Sequence, residues 1–277
     1  MGRSRGCVQS TVELSGDDLD RLVEFLSCDA RGNALILADM LTLPEVCDVR
    51  ALCGGESWTV GAFREDLPFR NIALSSGNEE EYRRMIEDFS DRFRPGDLIY
   101  SLIPGPQTEV LGRIVEIGSK TPEIQLFREL STRLPRPEGL ESLKAKGFRF
   151  RVLGRSDLDA VRRVMEVGER FAFAEGSFRK GVYWGAFRGR RLVCVVGTHS
   201  LGRHAAEIGN LVTLPEYRRQ GLAKACLSLL LCDLSKHTSC AYLSFFAQFG
   251  FLERLFGSVG FVEPRPFDLV AWHYPNG

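Results

Sequence analysis

Apolar and polar positions follow two rhythms along this chain. In the second half a period near two marks strands over 147–153, 181–188, 191–200, 205–214 and 240–247. A period near 3.6 marks helices over 157–168, 222–235 and 250–258, and a terminal strand pair follows. Strands interleaved with helices predict a mixed α/β sheet. The first half reads as helices near 18–28, 32–42 and 79–94, with strands between and after them. The third of these opens at Asn78 and carries Glu79, Glu80 and Glu81 in its first turn, where carboxylates suit the positive helix end. Tyr82, Ile86, Phe89 and Phe93 then make one apolar stripe, which predicts core.

The two halves echo each other. Ser15-Gly16-Asp17-Asp18 and Ser156-Asp157-Leu158-Asp159 both read as capping boxes opening an amphipathic helix. Gly61-Ala62-Phe63-Arg64 and Gly185-Ala186-Phe187-Arg188 each end a strand-like run, and Glu81-Tyr82-Arg83-Arg84 and Glu216-Tyr217-Arg218-Arg219 recur in the same order. The Pro-rich stretch from Ser131 to Gly139 reads as a linker. The expected organisation is therefore two domains, 1–140 and 141–277, related by duplication.

A length of 277 residues permits one large domain or two small ones. Hydrophobic residues at 44% and charged residues at 26% allow a packed core. Lys plus Arg and Asp plus Glu number 36 each, so no global field draws the chain to nucleic acid or to an anionic membrane; phosphate binding has to be local. No apolar run approaches a membrane span and no signal-type segment follows Met1, so the expected location is cytoplasmic. No two of the eight cysteines have zinc-knuckle spacing; no metal site is expected, and the cysteines read as small buried hydrophobes in a reducing compartment.

The chemistry concentrates where the strand Glu207–Leu214 meets the helix beginning near Leu222. Gly221 lets a ligand approach the backbone, Ala223 keeps the first turn thin, and the first N–H groups of the helix have no partner within it. With Arg218, Arg219 and Lys224 beside them, these donors suit a pyrophosphate.

Here the sequence resembles the Gcn5-related N-acetyltransferases, whose acyl-CoA loop is written Q/R-x-x-G-x-G/A between a strand and a helix. Arg218, Gly221 and Ala223 match it, and the stretch Asn210–Ala223 resembles a subgroup related to glycine N-acyltransferases. The resemblance covers about residues 147–275, supported by Leu255-Phe256-Gly257-Ser258-Val259-Gly260-Phe261, which the family writes L-Y-x-x-x-G-F. It implies the GNAT fold, two tandem GNAT-like domains with a degenerate N-terminal one, and acetyl-CoA or another acyl-CoA as co-substrate. It also implies that backbone groups of Leu211, Val212 and Thr213 pair with the pantetheine, and that N–H groups of Arg219, Gln220, Gly221, Leu222, Ala223 and Lys224 hold the pyrophosphate.

Two departures stand out. Phe249 replaces an Asn, and Phe256, at the thiolate end of the cofactor site, replaces the Tyr that protonates the departing thiolate. Phe245, Phe246, Phe249, Phe251 and Phe256 read either as the lining of an acyl or substrate pocket or as ordinary core. The first half shows no matching loop after Glu81-Tyr82-Arg83-Arg84.

Acyl transfer to an amine needs a base, and Glu207 is the candidate, eleven residues before Arg218 as in histone-acetylating members of the family. His204 could relay a proton; His199, His237 and His273 receive no role. Tyr183, Tyr242 and Tyr274 are equivalent candidates for the acid. Arg188, Arg190 and Arg191 read as a solvated hairpin. The expected reaction joins an acyl group to a small-molecule or peptide amine by direct attack in a ternary complex, with a homodimer allowed. The rival expectation is a non-catalytic acyl-CoA-binding or sensing module.

Overall fold

A computed structural model of the chain describes residues 8–10, 16–53, 58–130, 134, 137–168, 173–202 and 205–275. Most of the linker from Ser131 to Gly139, the first capping-box residue Ser15, and His204 lie outside the described residues.

One series of elements occurs twice. The first is β1 (Val8–Ser10), α1 (Gly16–Cys28), α2 (Ala34–Thr42), β2 (Cys47–Cys53), β3 (Trp58–Arg64), β4 (Ala73–Leu74), α3 (Glu79–Asp88), β5 (Leu98–Pro104), α4 (Gly105–Gly112) and β6 (Ile117–Glu129). After the short α5 (Leu140–Ala145) come β7 (Phe148–Val152), α6 (Leu158–Val167), α7 (Glu175–Lys180), β8 (Tyr183–Arg188), β9 (Arg191–Leu201), β10 (Ala206–Thr213), α8 (Leu222–Leu234), β11 (Cys240–Phe246), α9 (Phe251–Gly257) and β12 (Val262–His273). Aligning the series corrects two of the echoes. The Gly-Ala-Phe-Arg pair ends β3, the second strand of its meander, but β8, the first strand of the other; Glu81–Arg84 lies inside α3, whereas Glu216–Arg219 precedes α8. The second capping box is also displaced: Gly154 N–H donates to Asp157 Oδ2 at 2.9 Å, so the chain turns two residues earlier than Ser156 suggests.

The chain divides into two compact units. Unit 1 comprises residues 1–124, 246–248 and 265–277, and unit 2 comprises 125–245 and 249–264. The terminal elements therefore do not stay with their own series. In place of a terminal strand pair there is one long β12, whose residues Phe267–His273 pair antiparallel with β5 in unit 1. Val270 and Trp272 enter the core of unit 1 beside Phe63, Tyr82, Phe89, Phe93, Ile99 and Ile103. The predicted stripe on α3 is buried in that core, although the α-helix ends at Asp88 and a 3₁₀ turn carries Phe89. A second core packs α1 and α2 onto β2 and β3 through Leu22, Leu26, Leu37, Val49 and Val60.

In unit 2 the strand order is β6-β11-β10-β9-β8-β7, with only residues 125–129 of β6 taking part. Phe127 stacks on Tyr242 with ring centroids 6.1 Å apart, and Leu130 N–H donates to Ser239 O at 2.8 Å. Helix α8, apolar on nearly every side, buries Leu222, Ala225, Cys226, Leu227, Leu230, Leu231 and Leu234. Of the described cysteines only Cys194 and Cys226 are fully buried and Cys28 is exposed, so burial explains part of the set. No helix among the described residues is long and apolar enough to cross a membrane.

Candidate active site

Strand β10 builds one wall of the site. Its residues alternate strictly, with Ala206, Ile208, Asn210 and Val212 buried and Glu207, Gly209, Leu211 and Thr213 on the half-exposed face. The parallel ladder with β11 consists of Ala206–Ala241 and Glu207–Tyr242 and stops there. Two irregularities against β9 shape the strand. Glu207 faces Ser200 while Ile208 faces Thr198, which leaves His199 as an extra residue on β9; Gly209 faces Gly197 while Val212 faces Val195, which puts the extra residue on β10. Asn210, inside that second bulge, adopts φ +56 and donates through Nδ2 to Tyr183 Oη at 2.9 Å. A non-glycine residue in the left-handed region is strained, and the buried hydrogen bond holds it there.

Bulges re-aim side chains, and the first one does so here. His199 Nδ1 lies 3.3 Å from Glu207 Oε1. The imidazole ring rests over Gly209, where any Cβ would collide with it. The histidine that sequence spacing leaves without a carboxylate partner thus has one, contributed by the next strand through a bulge that no local pattern announces.

Beyond Thr213 a 3₁₀ turn over Pro215–Tyr217 leads into the basic loop. Arg218 is extended, Arg219 has φ +61 and Gly221 φ +85, and the helix starts at Leu222. Left-handed residues set among right-handed ones turn successive N–H groups toward one concavity, the geometry of a backbone anion nest. No side chain caps α8, and the space a Cβ would fill at Gly221 is open. Arg219, Gln220 and Gly221 are exposed, Ala223 and Lys224 half-buried and Leu222 buried, so Leu222 anchors the turn while its neighbours present their backbone. Arg218 Nε donates to Thr213 O at 3.0 Å, which closes the loop onto its strand. Arg191, left above as part of a solvated hairpin, pairs with Glu216 at 2.8 Å and lies over the Tyr217 ring at 5.8 Å. It neutralises the loop's one acid; Arg218 and Arg219 are exposed, and the Lys224 ammonium lies 3.8 Å from Glu138.

The aromatic residues separate into two groups. Phe256 is buried against Phe245 (5.5 Å) and Phe261 (6.1 Å), while Phe249 and Phe251 are exposed and touch each other edge to face. The tyrosines are no longer equivalent either. Tyr274 belongs to unit 1, where its hydroxyl donates to Ile86 O at 3.3 Å; Tyr183 accepts from Asn210; Tyr242 is the ladder neighbour of Glu207.

Residues 158–257 match the model of the Acetyltransferase (GNAT) family. The fold is that of the GNAT acetyltransferases. Among solved structures, a GCN5-related N-acetyltransferase from Sphaerobacter thermophilus superposes with a TM-score of 0.63 at 13% identity, covering 99% of this chain and 97% of that one. A tandem GNAT protein from the clavulanic acid biosynthesis pathway gives 0.59 at 12% identity over 98% and 100% of the two chains, which fits the doubled series of elements. A putative GNAT acetyltransferase from Novosphingobium aromaticivorans gives 0.58 at 19% identity over 77% and 88%. No curated protein matches the chain in sequence. The GNAT match falls wholly within the second series, from the start of α6 to the end of α9.

Proposed function

We propose that the second series of this GNAT fold binds acetyl-CoA or another acyl-CoA and transfers the acyl group to an amine by direct attack in a ternary complex. The observation that carries the reading is the uncapped, electropositive N-terminus of α8, reached through the left-handed Arg219 and Gly221. Main-chain groups of Leu211, Val212 and Thr213 would pair with the pantetheine, and the N–H groups from Arg219 to Lys224 would hold the pyrophosphate. Phe256 would form part of the wall at the thioester end. The run Asn210–Ala223 supports a relation to the glycine N-acyltransferases within the superfamily.

The reaction would proceed from a neutral amine nitrogen attacking the thioester carbonyl; a C–N bond forms, the C–S bond breaks, and the sulfur leaves as a thiolate. The nitrogen must lose a proton, and Glu207, on the half-exposed face of β10, would accept it, directly or through one water. His199 would fix the carboxylate rotamer through the 3.3 Å contact and, when protonated at Nδ1, donate to it. Phe256 has no proton to give the thiolate, and no side chain is assigned that step.

The test is release of free coenzyme thiol when acetyl-CoA is mixed with a panel of small amines and amino-terminal peptides. Release that requires an amine supports the transferase. Saturable binding of acetyl-CoA with no release for any amine would favour the non-catalytic binding module, the reading that Phe256 and Phe249 keep in play. A His199→Ala variant should turn over about ten- to a hundredfold more slowly, the worth of one hydrogen bond to a charged group, with coenzyme affinity unchanged.

A further inference from the structure

Unit 1 contains a cavity of about 390 Å³ where β3 ends, the chain enters β4, and the turn after α3 leads into β5. This is not a remnant of the cofactor site: the junction in unit 1 that corresponds to the β10–α8 loop is the connection over residues 75–78, at the other end of β4. Phe63 and Phe93 lie beneath it, packed edge to face at 5.5 Å and each almost wholly buried, so the surface of the cavity is mostly polar. Three arginines, Arg70, Arg92 and Arg94, line the same cavity together with two carboxylates, Glu65, which pairs with Arg92, and Asp91, which pairs with Arg50 at 2.9 Å.

These arginines are not alike. Arg92 is spent inside the protein: Asp48 holds it at 2.7 Å, Glu65 at 3.0 Å and Asp91 at 3.5 Å, so it fixes the wall and has little charge to offer. Arg70 has one distant partner, Asp97 at 3.9 Å. Among the described residues no carboxylate pairs with the Arg94 guanidinium; Asp97 instead accepts from the Arg94 backbone N–H at 2.9 Å. Two guanidinium groups without a close carboxylate partner therefore share a cavity whose volume is within the usual range for small-molecule sites. A guanidinium presents a planar fork that matches a carboxylate or a phosphate.

The geometry points to a second ligand site in unit 1, which takes a small molecule bearing one carboxylate or phosphate group, held by Arg70 and Arg94. Its position in unit 1 makes it independent of the acyl-CoA reading.

The experiment titrates the full-length protein with benzoate, phenyl phosphate and the uncharged benzyl alcohol, following the melting temperature and the aromatic NMR signals. Saturable shifts with either anion and none with benzyl alcohol are expected, and the tighter anion identifies the headgroup. Both guanidinium groups are exposed, so the Arg70→Ala/Arg94→Ala double variant should fold normally; circular dichroism checks this, and Arg94→Lys provides a milder second variant. The double variant should weaken the anion at least about tenfold, as loss of a charge-assisted hydrogen bond implies, whereas Gly221→Glu should leave the titration unchanged. Equal binding to the double variant, equal binding of benzyl alcohol, loss of binding on Gly221→Glu, or no response to either anion would each overturn the proposal.

Discussion

At corresponding places in the two series a strand hands over to a helix, Leu74 to Glu79 in the first and Thr213 to Leu222 in the second. In the first, Asn78 accepts from Glu81 N–H at 3.0 Å while Glu81 Oε2 accepts from Asn78 N–H at 2.8 Å, and three glutamates occupy the first turn. The helix end is satisfied by its own side chains and is electronegative. A glycine is present there too, Gly77, but a Cβ at that position would press on the Tyr82 ring and on Thr59, so it serves packing. In the second junction no side chain caps the helix, the N-cap glycine faces open space, and Arg218, Arg219 and Lys224 outnumber the loop's one acid, Glu216, with which Arg191 pairs. A helix N-terminus becomes an anion site only where the chain declines to cap it. Element order alone would have assigned the two junctions the same chemistry.

The comparison breaks most sharply at Gly221. Gly221→Glu places a carboxylate in the nest and a side chain at φ +85. Coenzyme A at about a hundredfold excess over its Kd should raise wild-type stability by about 2.7 kcal/mol, and that gain should vanish in the variant. A melting scan with and without coenzyme measures it; an undiminished shift would mean that the loop is not the pyrophosphate site.

Next in size is Glu207→Gln, which keeps shape but cannot accept the proton. Turnover should fall by about 10²- to 10⁴-fold with coenzyme affinity nearly unchanged. Steady-state rates over a range of pH, beside a binding titration, separate the two effects, and equal turnover would remove Glu207 from the mechanism.

Trp272→Ala tests the other unit. Trp272 is fully buried and its indole N–H donates to Ser101 Oγ at 3.0 Å, so truncation should cost about 3–5 kcal/mol. Denaturant unfolding should show the loss even though the residue stands three before the last described one. A cost below about 1 kcal/mol would mean that β12 contributes little to unit 1.

The smallest effect concerns acid stability. The Arg151 guanidinium, 2.6 Å from Asp157, together with the Gly154 N–H, holds the Asp157 carboxyl below the usual carboxylate range. A depressed folded-state value means that this stabilisation is complete above the unfolded value of about 4 and is lost as pH falls through the lower folded one. Asp157→Asn should therefore cost stability at neutral pH and lessen the further loss on acidification. Urea midpoints at neutral and acidic pH give the comparison, and parallel pH profiles for the two proteins would dismiss the pair as a stabilising contact.

What could be read from the sequence is what is local. The strand before Thr213, the apolar helix after Leu222, the basic turn with its glycine, and the capped helix at Asn78 each depend on neighbours within a few residues, and all stand where the pattern placed them. The His199–Glu207 contact depends on a bulge across two strands, and Arg191 meets Glu216 only because β9 starts beside the loop; neither has a spacing to betray it. The destination of β12 was hidden for the same reason. An alternating segment declares that it is a strand, and nothing in it names the strand it will pair with. The repeated four-residue strings were the least reliable guide, since two of three fall on elements that do not correspond.

The exchange of end strands bears on how the protein is made. Most of unit 1 precedes unit 2 in the sequence, yet β5 lacks its β12 neighbour, and the core lacks Val270 and Trp272, until residues 265–273 have been synthesised. A nascent chain stalled after residue 124 would present a bare β5 edge and an open apolar face, the features that recruit chaperones or seed aggregation. Birth order and folding order are thus uncoupled: the half translated first is the half completed last.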